Sequence, residues 1–410
     1  MPVAGHAPIW WLPTGAKLSL GSVERITREV HMTRLRLAAV FGLVLLAAGC
    51  GASKPHTATH STSTATSPPT TSTATSPATT PTSHALAVPA GGPVPAGFAP
   101  SSFTAIGELT WWLLGNAPCN SPPCTSIVRT TDGGVRFVGI PAPRVAYDGP
   151  GSGKSTGVWQ LRFGDAVDGF AYDTDLYVTH NSGSSWHRVS LGAPVSDLAI
   201  GGGEVYATVL SPSRLSARLM RSPVGRDDWV TLPAAGKVSG GLWVHGTDVF
   251  VENSMYSKLL VSDDRGDSFA AYPAPITSLP CEYEETQPPV VWAHCATGTE
   301  SDVWRSTDGG RSFSPADGRR GQPLMIPNSA AFAVASSTLA LVAGLRLYRT
   351  TNAGASYAPV GPAGFRWAYL GFTNATHGAA LATRASSSST AEELFYTTNA
   401  GLSYRLVRIG

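Results

Sequence analysis

Three observations predict an all-β fold made of repeated four-stranded units. An eight-residue pattern returns seven times at near-constant intervals. Only 14% of the 410 residues are charged, against roughly 25% in a typical soluble domain. Glycine (44) and proline (32) are abundant, a composition suited to turns and short strands rather than to helices.

Read from the N-terminus, residues 1–49 form an export region. A complete signal occupies 32–49, where Arg34 and Arg36 precede an apolar run from 37 to 48. That run is well short of the roughly 20 apolar residues that span a bilayer and fits a cleaved secretory signal. It ends Leu46-Ala47-Ala48-Gly49-Cys50, which resembles a bacterial lipobox with Ala47 where Leu is commonest, and so implies lipidation of Cys50. Residues 1–31 stand ahead of this signal and read as an extension upstream of a true start at Met32.

Residues 50–97 follow as the lipidated cysteine and a disordered tether. From 57 to 83, 18 of 27 residues are Ser or Thr, four are Pro and none is a large apolar residue, so nothing there can offset the entropy of ordering. A flexible coil over 51–97 spans on the order of 40 Å. The expected location is the outer, extracytoplasmic face of a cell membrane.

The repeat occupies 98–410. Its clearest copy is Ser306-Thr307-Asp308-Gly309-Gly310-Arg311-Ser312-Phe313, of the form Ser/Thr, any, Asp/Asn, any, Gly, any, Ser/Thr, aromatic. Close relatives span 130–137, 179–186, 262–269, 350–357 and 397–404. A worn copy spans 222–229, with Val224 for the Asp, Arg226 for the Gly and Asp228 for the Ser. The third positions are 132, 181, 224, 264, 308, 352 and 399, at intervals of 49, 43, 40, 44, 44 and 47. Such spacing matches a four-stranded propeller blade of roughly 40–50 residues, so seven copies predict a seven-bladed β-propeller.

The motif's chemistry is that of a hairpin turn. Asp132, Asn181, Asp264, Asp308, Asn352 and Asn399 can bond their own backbone, and Gly134, Gly183, Gly266, Gly310, Gly354 and Gly401 can take a positive φ. Strand-like stretches such as 125–129 and 345–349 lead into it. The aromatics Trp186, Trp229, Phe269, Phe313, Tyr357 and Tyr404 start the next strand and are expected to fill one niche per blade. Each unit opens with apolar stretches around a polar turn, as at 195–200 and 204–209. The first blade would use 103–106 and 109–114 as its inner pair and the last ends with 404–409. The sequence leaves open how the ring closes.

These residues resemble the Asp-box, or bacterial neuraminidase repeat, over residues 98–410. The variants at 129–134 and 305–310 look most like the branch related to the photosystem II stability and assembly factor. That resemblance implies a seven-bladed propeller on the outer face of a membrane that serves as an assembly scaffold rather than an enzyme. Asp-boxes themselves lie at the blade periphery and license fold, not activity.

After Cys50 four cysteines remain, an even number in an exported domain, which favours disulfides. Their local spacing suggests Cys119–Cys124 and Cys281–Cys295 among three possible connectivities. Residues 149–156 imitate a nucleotide-binding loop, but position 148 is Asp where the loop needs Gly, and they read as an inter-blade loop.

A sialidase-type site needs three arginines on the substrate carboxylate, a Tyr nucleophile with Glu, and an acid. Sialidases carry the first of these in a Phe-Arg-Ile-Pro motif before the first Asp-box. This chain has Phe137-Val138-Gly139-Ile140-Pro141, without the Arg and after the box. Arg129, Arg221, Arg305 and Arg349 each precede a repeat motif, so they are expected at the rim, as a basic band for an acidic partner or as locally bonded strand-end charges. Glu282, Glu284 and Glu285, with His294 beside them, read as an exposed acidic loop between Cys281 and Cys295 and are further candidates for partner binding. His245 and His377 lack paired metal-ligand spacing and read as strand or loop residues.

Beyond residue 49 the chain carries 24 Lys/Arg against 25 Asp/Glu, a poor basis for nucleic-acid binding. The expected function is a non-catalytic, monomeric, membrane-anchored scaffold for a protein or cell-surface glycan, with no nucleotide, cofactor or metal. The alternative is an exo-acting glycoside hydrolase of sialidase type.

Overall fold

In a computed structural model, residues 88–410 are described except 121–123, 149–155, 297–299, 319–325, 328–330, 345 and 387–391. The export signal, Cys50, the Ser/Thr tract and the Gly/Ser loop at 149–155 lie outside the described residues.

Polar turns rich in Gly and Pro cut the apolar stretches into short strands, and among the described residues the helical structure is one 3-10 turn at Pro233–Ala235. Four-stranded antiparallel meanders, each in chain order, span 99–140, 160–189, 195–231, 238–273, 281–315, 331–360 and 365–407. The third and fourth are linked by a single pairing, Ala217 with Val238.

The inner and middle strands are buried on both faces, as in Gly169–Tyr172, Ala331–Val334 and Ala340–Ala343. They therefore read as continuous apolar runs rather than alternating ones. Successive meanders share a core. Trp112, Leu114, Leu161 and Phe163 join the first to the second, and Trp186 packs against them. In the same way Trp229, Phe269, Phe313, Tyr357 and Tyr404 each pack on the core their meander shares with the one before it.

The last meander packs on the first. Trp111, Leu113 and Val128 meet Tyr369, Leu381 and Tyr396, with Phe137 against them, and the Trp111 and Tyr396 rings are 4.4 Å apart. No described sheet mixes N- and C-terminal strands, so the junction is closed by side-chain packing.

Residues 92–97, which the sequence assigns to the end of the tether, line the first meander together with Phe98. Gly92 exchanges two backbone hydrogen bonds with Gly139, and Val94 and Phe98 pack on the junction core beside Ile409. Their apolar side chains are what separates them from the Ser/Thr tract.

The exposed edge of each innermost strand would leave backbone N–H groups unpaired in a closed interior. Side chains from the preceding meander satisfy several of them. Ser102 Oγ accepts from Leu161 N (3.0 Å), Thr104 Oγ1 from Phe163 N (3.2 Å), Asp197 Oδ2 from Leu242 N (3.1 Å) and Glu284 Oε2 from Val334 N (2.5 Å).

Candidate functional site

Six copies of the motif build one turn. The first residue's hydroxyl donates to the Asp or Asn side chain at 2.6–3.0 Å and accepts from the Gly N–H at 2.7–3.1 Å. The Asp or Asn oxygen then accepts a backbone N–H four residues on, at 2.9–3.0 Å. These bonds hold the carboxyls of Asp264 and Asp308 down at about 2, although burial opposes the shift at Asp308. In the worn copy the pattern changes, and Ser222 Oγ donates to Arg226 O at 2.9 Å.

The rim arginines reach between meanders. Arg221 Nη1 donates to Arg265 O (2.5 Å) and pairs with Asp267 (3.0 Å), and Arg349 Nε donates to Ala400 O (2.7 Å). Arg405 Nη2 donates to Gly133 O (3.1 Å). In all three the acceptor is the fourth residue of the next meander's motif. Arg129 is buried and donates to Pro89 O (2.5 Å). Arg305 donates to Ser337 O (3.2 Å), lies over the Trp292 ring and lines a groove of about 230 Å³ with Phe313 and Asn352.

The acidic segment is not an exposed loop. Glu282, Glu284 and Glu285 belong to the strand Cys281–Gln287, whose register sets Cys281 opposite Cys295 and Glu282 opposite His294. That pairing is closed by the Cys281–Cys295 disulfide, and a second disulfide joins Cys119 to Cys124. Glu284 and Glu285 are buried. Burial pushes the Glu284 carboxyl well above the usual range, and burial next to Asp248 pushes Glu285 to about 8. Glu252 from the fourth meander accepts from Tyr283 OH (2.9 Å) and Cys281 N (3.3 Å), and burial raises it to about 8.

Ser301 Oγ lies 2.8 Å from His294 Nε2, whose Nδ1 is 3.4 Å from Glu282 Oε2. This is the order of a Ser–His–carboxylate relay. Ser301 is 2% exposed and His294 7%, so the group serves the interior. His245 is half-buried, and burial lowers its pKa. His377 bonds within its own turn to Thr376.

At the inner strands the structure assembles a set that sequence reading passes over: Arg162, Tyr172, Asp197 and Tyr369, all buried. Tyr172 OH lies 3.1 Å from Gln160 Oε1 and 3.3 Å from Asp197 Oδ1. Burial raises Asp197 to about 6 while the Arg162 charge opposes the rise. The cavity beside Arg162, Tyr369 and Phe372 is about 10 Å³, room for about one water. The signal was a charge inside the apolar strand Gln160–Phe163. A second unforeseen group, His180, His187 and Asp227, gathers at the rim.

No family model matches the chain, and no curated protein matches it. Among solved structures the chain is similar to the WD40 repeats of RRP9, at 14% identity over 74% of this chain and 94% of that one, with a TM-score of 0.50. It is also similar to the β-propeller domain of the Trilobed protease from Pyrococcus furiosus, at 7% identity over 77% and 97%, with a TM-score of 0.50. YCF48 from Cyanidioschyzon merolae aligns at 13% identity over 75% and 97%, with a TM-score of 0.49. At these identities the likeness is one of fold: the chain has β-propeller architecture.

Proposed function

We propose that this chain is a seven-bladed propeller of the Asp-box kind, anchored through a lipidated Cys50 on the outer face of a cell membrane, that works as a non-catalytic binding scaffold for a protein or cell-surface glycan. The blade number is supported by seven motif copies and by the shared cores that run from each meander to the next and from the last to the first.

The observation that carries the scaffold reading is the distribution of accessible chemistry. The cavity beside Arg162 holds about one water, whereas the turns of the first and last meanders expose Leu109, Val135 and Leu402. Leu109 and Val135 stand beside Gly133, where Arg405 of the last meander reaches the first, while Leu402 follows Ala400 and Gly401, which contact Arg349 and Leu341 of the sixth meander. Exposed apolar side chains on turns suit a protein surface better than a sugar. For a hydrolase of sialidase type, the described inner strands carry two arginines, Arg162 buried and Arg366 exposed, where three must converge.

The full chain, native and heat-denatured, should release nothing in a heat-sensitive way from sialosides or a cell-surface glycan panel followed by mass spectrometry. Heat-sensitive release would overturn the scaffold reading. A photo-crosslinker at Val135 should capture a partner in cells that the same probe at Met255 does not, and Cys50→Ser should move the chain out of the membrane fraction. Equal capture at both positions would remove the junction as the binding face.

A further inference from the structure

At the rim, where the second and third meanders meet, two imidazoles and a carboxylate converge. His180 is the second residue of the second motif copy, and His187 opens the strand that follows it, His187–Val189. Asp227 comes from the worn third copy. His187 Nε2 is 2.6 Å and His180 Nε2 3.6 Å from Asp227 Oδ2, and the ligand atoms of the three residues all lie within 4.8 Å of one another.

Tetrahedral Zn²⁺, with ligand bonds of about 2.0–2.1 Å, sets its ligand atoms about 3.3–3.4 Å apart. The observed separations bracket that value, and His187 and Asp227 are exposed enough to adjust by small side-chain rotations. Two imidazoles and one carboxylate also leave a fourth position open, a donor set suited to zinc and its first-row neighbours.

A second observation points to the same ligand. His180 Nδ1 lies 2.6 Å from Asp168 Oδ1, and Asp168 is 8% exposed. An Nδ1–H donated to that carboxylate leaves the Nε2 lone pair free on the side of Asp227, the arrangement that orients histidine ligands in metal sites. Asp168 is itself fixed, because its N–H bonds Asp165 Oδ1 (2.8 Å) and its carbonyl accepts from Gly164 N (3.0 Å).

The worn copy also fits this role. Gly225 keeps a positive φ of 80° and lies so close that a side chain there would come within 3.3 Å of Asp168 Oδ2, while Val224 packs toward Gly164. The turn carrying Asp227 thus lies against the meander that carries the histidines.

We propose that His180, His187 and Asp227 bind a divalent transition-metal ion of the zinc class, with Asp168 as the positioning residue behind His180, and that the ion clasps the second and third meanders. The site is independent of the partner discussed above.

The full chain, stripped with chelator, is titrated with Zn²⁺ and separately with Co²⁺ as a visible reporter. One Zn²⁺ per chain should bind at least about tenfold more tightly than to His187→Ala or Asp227→Ala, and the Co²⁺ bands of a four-coordinate site should vanish in both variants. Asp168→Asn keeps all three ligands and should weaken binding about 10- to 100-fold. Near-UV circular dichroism of the metal-free proteins checks that each variant is folded. The chain has ten histidines, so binding that survives unchanged in both ligand variants, or the absence of saturable Zn²⁺ binding by the wild type, overturns the proposal.

Discussion

In the six intact motif copies the fourth and fifth residues both sit at positive φ, as at Ala400 (56°) and Gly401 (76°). Only the fifth is always glycine, because its missing Cβ is also a packing requirement. A Cβ at Gly401 would come 2.6 Å from Leu341 Cδ2 of the preceding meander, and one at Gly134 would come 2.4 Å from Trp111. The fourth residue accepts Ser, Arg or Ala. Gly401→Ala should therefore destabilise by about 2–4 kcal/mol, combining left-handed strain with overpacking. Gly318→Ala has a similar φ of 73° but open space around it and should cost only the conformational part, about 1 kcal/mol. Urea midpoints at unchanged slope measure both, and equal losses would mean that packing contributes nothing.

Between strands, buried carboxyls take over the work of a missing neighbouring strand. Asp197 and Glu284 satisfy inner-edge N–H groups of the next meander, and Glu252 does the same for Cys281 from one strand further out. Holding Glu252 at about 8 by burial, against roughly 4.3 in an unfolded chain, has a definite sign. Between those values the folded protein keeps a proton that the unfolded chain releases, so stability is full below about 4 and falls as pH rises toward 8. Urea unfolding at pH 5 and pH 8 should show the wild type losing more stability than Glu252→Gln, whose amide oxygen can accept from Cys281 N while its NH2 donates to the Tyr283 hydroxyl oxygen. Equal losses would show that Glu252 does not stay protonated.

For the molecule as a whole, the critical contact joins its two ends, since the first and last meanders meet through side chains with no shared strand. Trp111 is fully buried at the centre of that junction. Trp111→Ala should cost about 3–5 kcal/mol and should raise amide hydrogen exchange first in Trp111–Asn116 and Glu393–Thr397, while the middle meanders stay protected. Uniform loss of protection would instead mean that the meanders unfold as one unit with no weak seam.

The sequence by itself determined the turns and their spacing. Thr397, Asn399, Gly401 and Ser403 find their partners within eight residues, so one copy of the motif already specifies its hydrogen bonds, and repetition specifies strands between copies. The aromatic that ends each copy was legible for the same reason. Tertiary structure decided where the charges went. Glu282, Glu284 and Glu285 look like a solvated loop in a polar run, yet cross-strand pairing at Cys281–Cys295 carries them inside. Arg349 finds its carbonyl 51 residues away and Arg405 finds Gly133 across 272. His180 and Asp227 meet only because adjacent meanders stack face to face. The arginine and histidine contacts join two meanders and the acidic strand is buried by its neighbours, and burial is a property of the folded assembly that the order of residues along one strand does not contain.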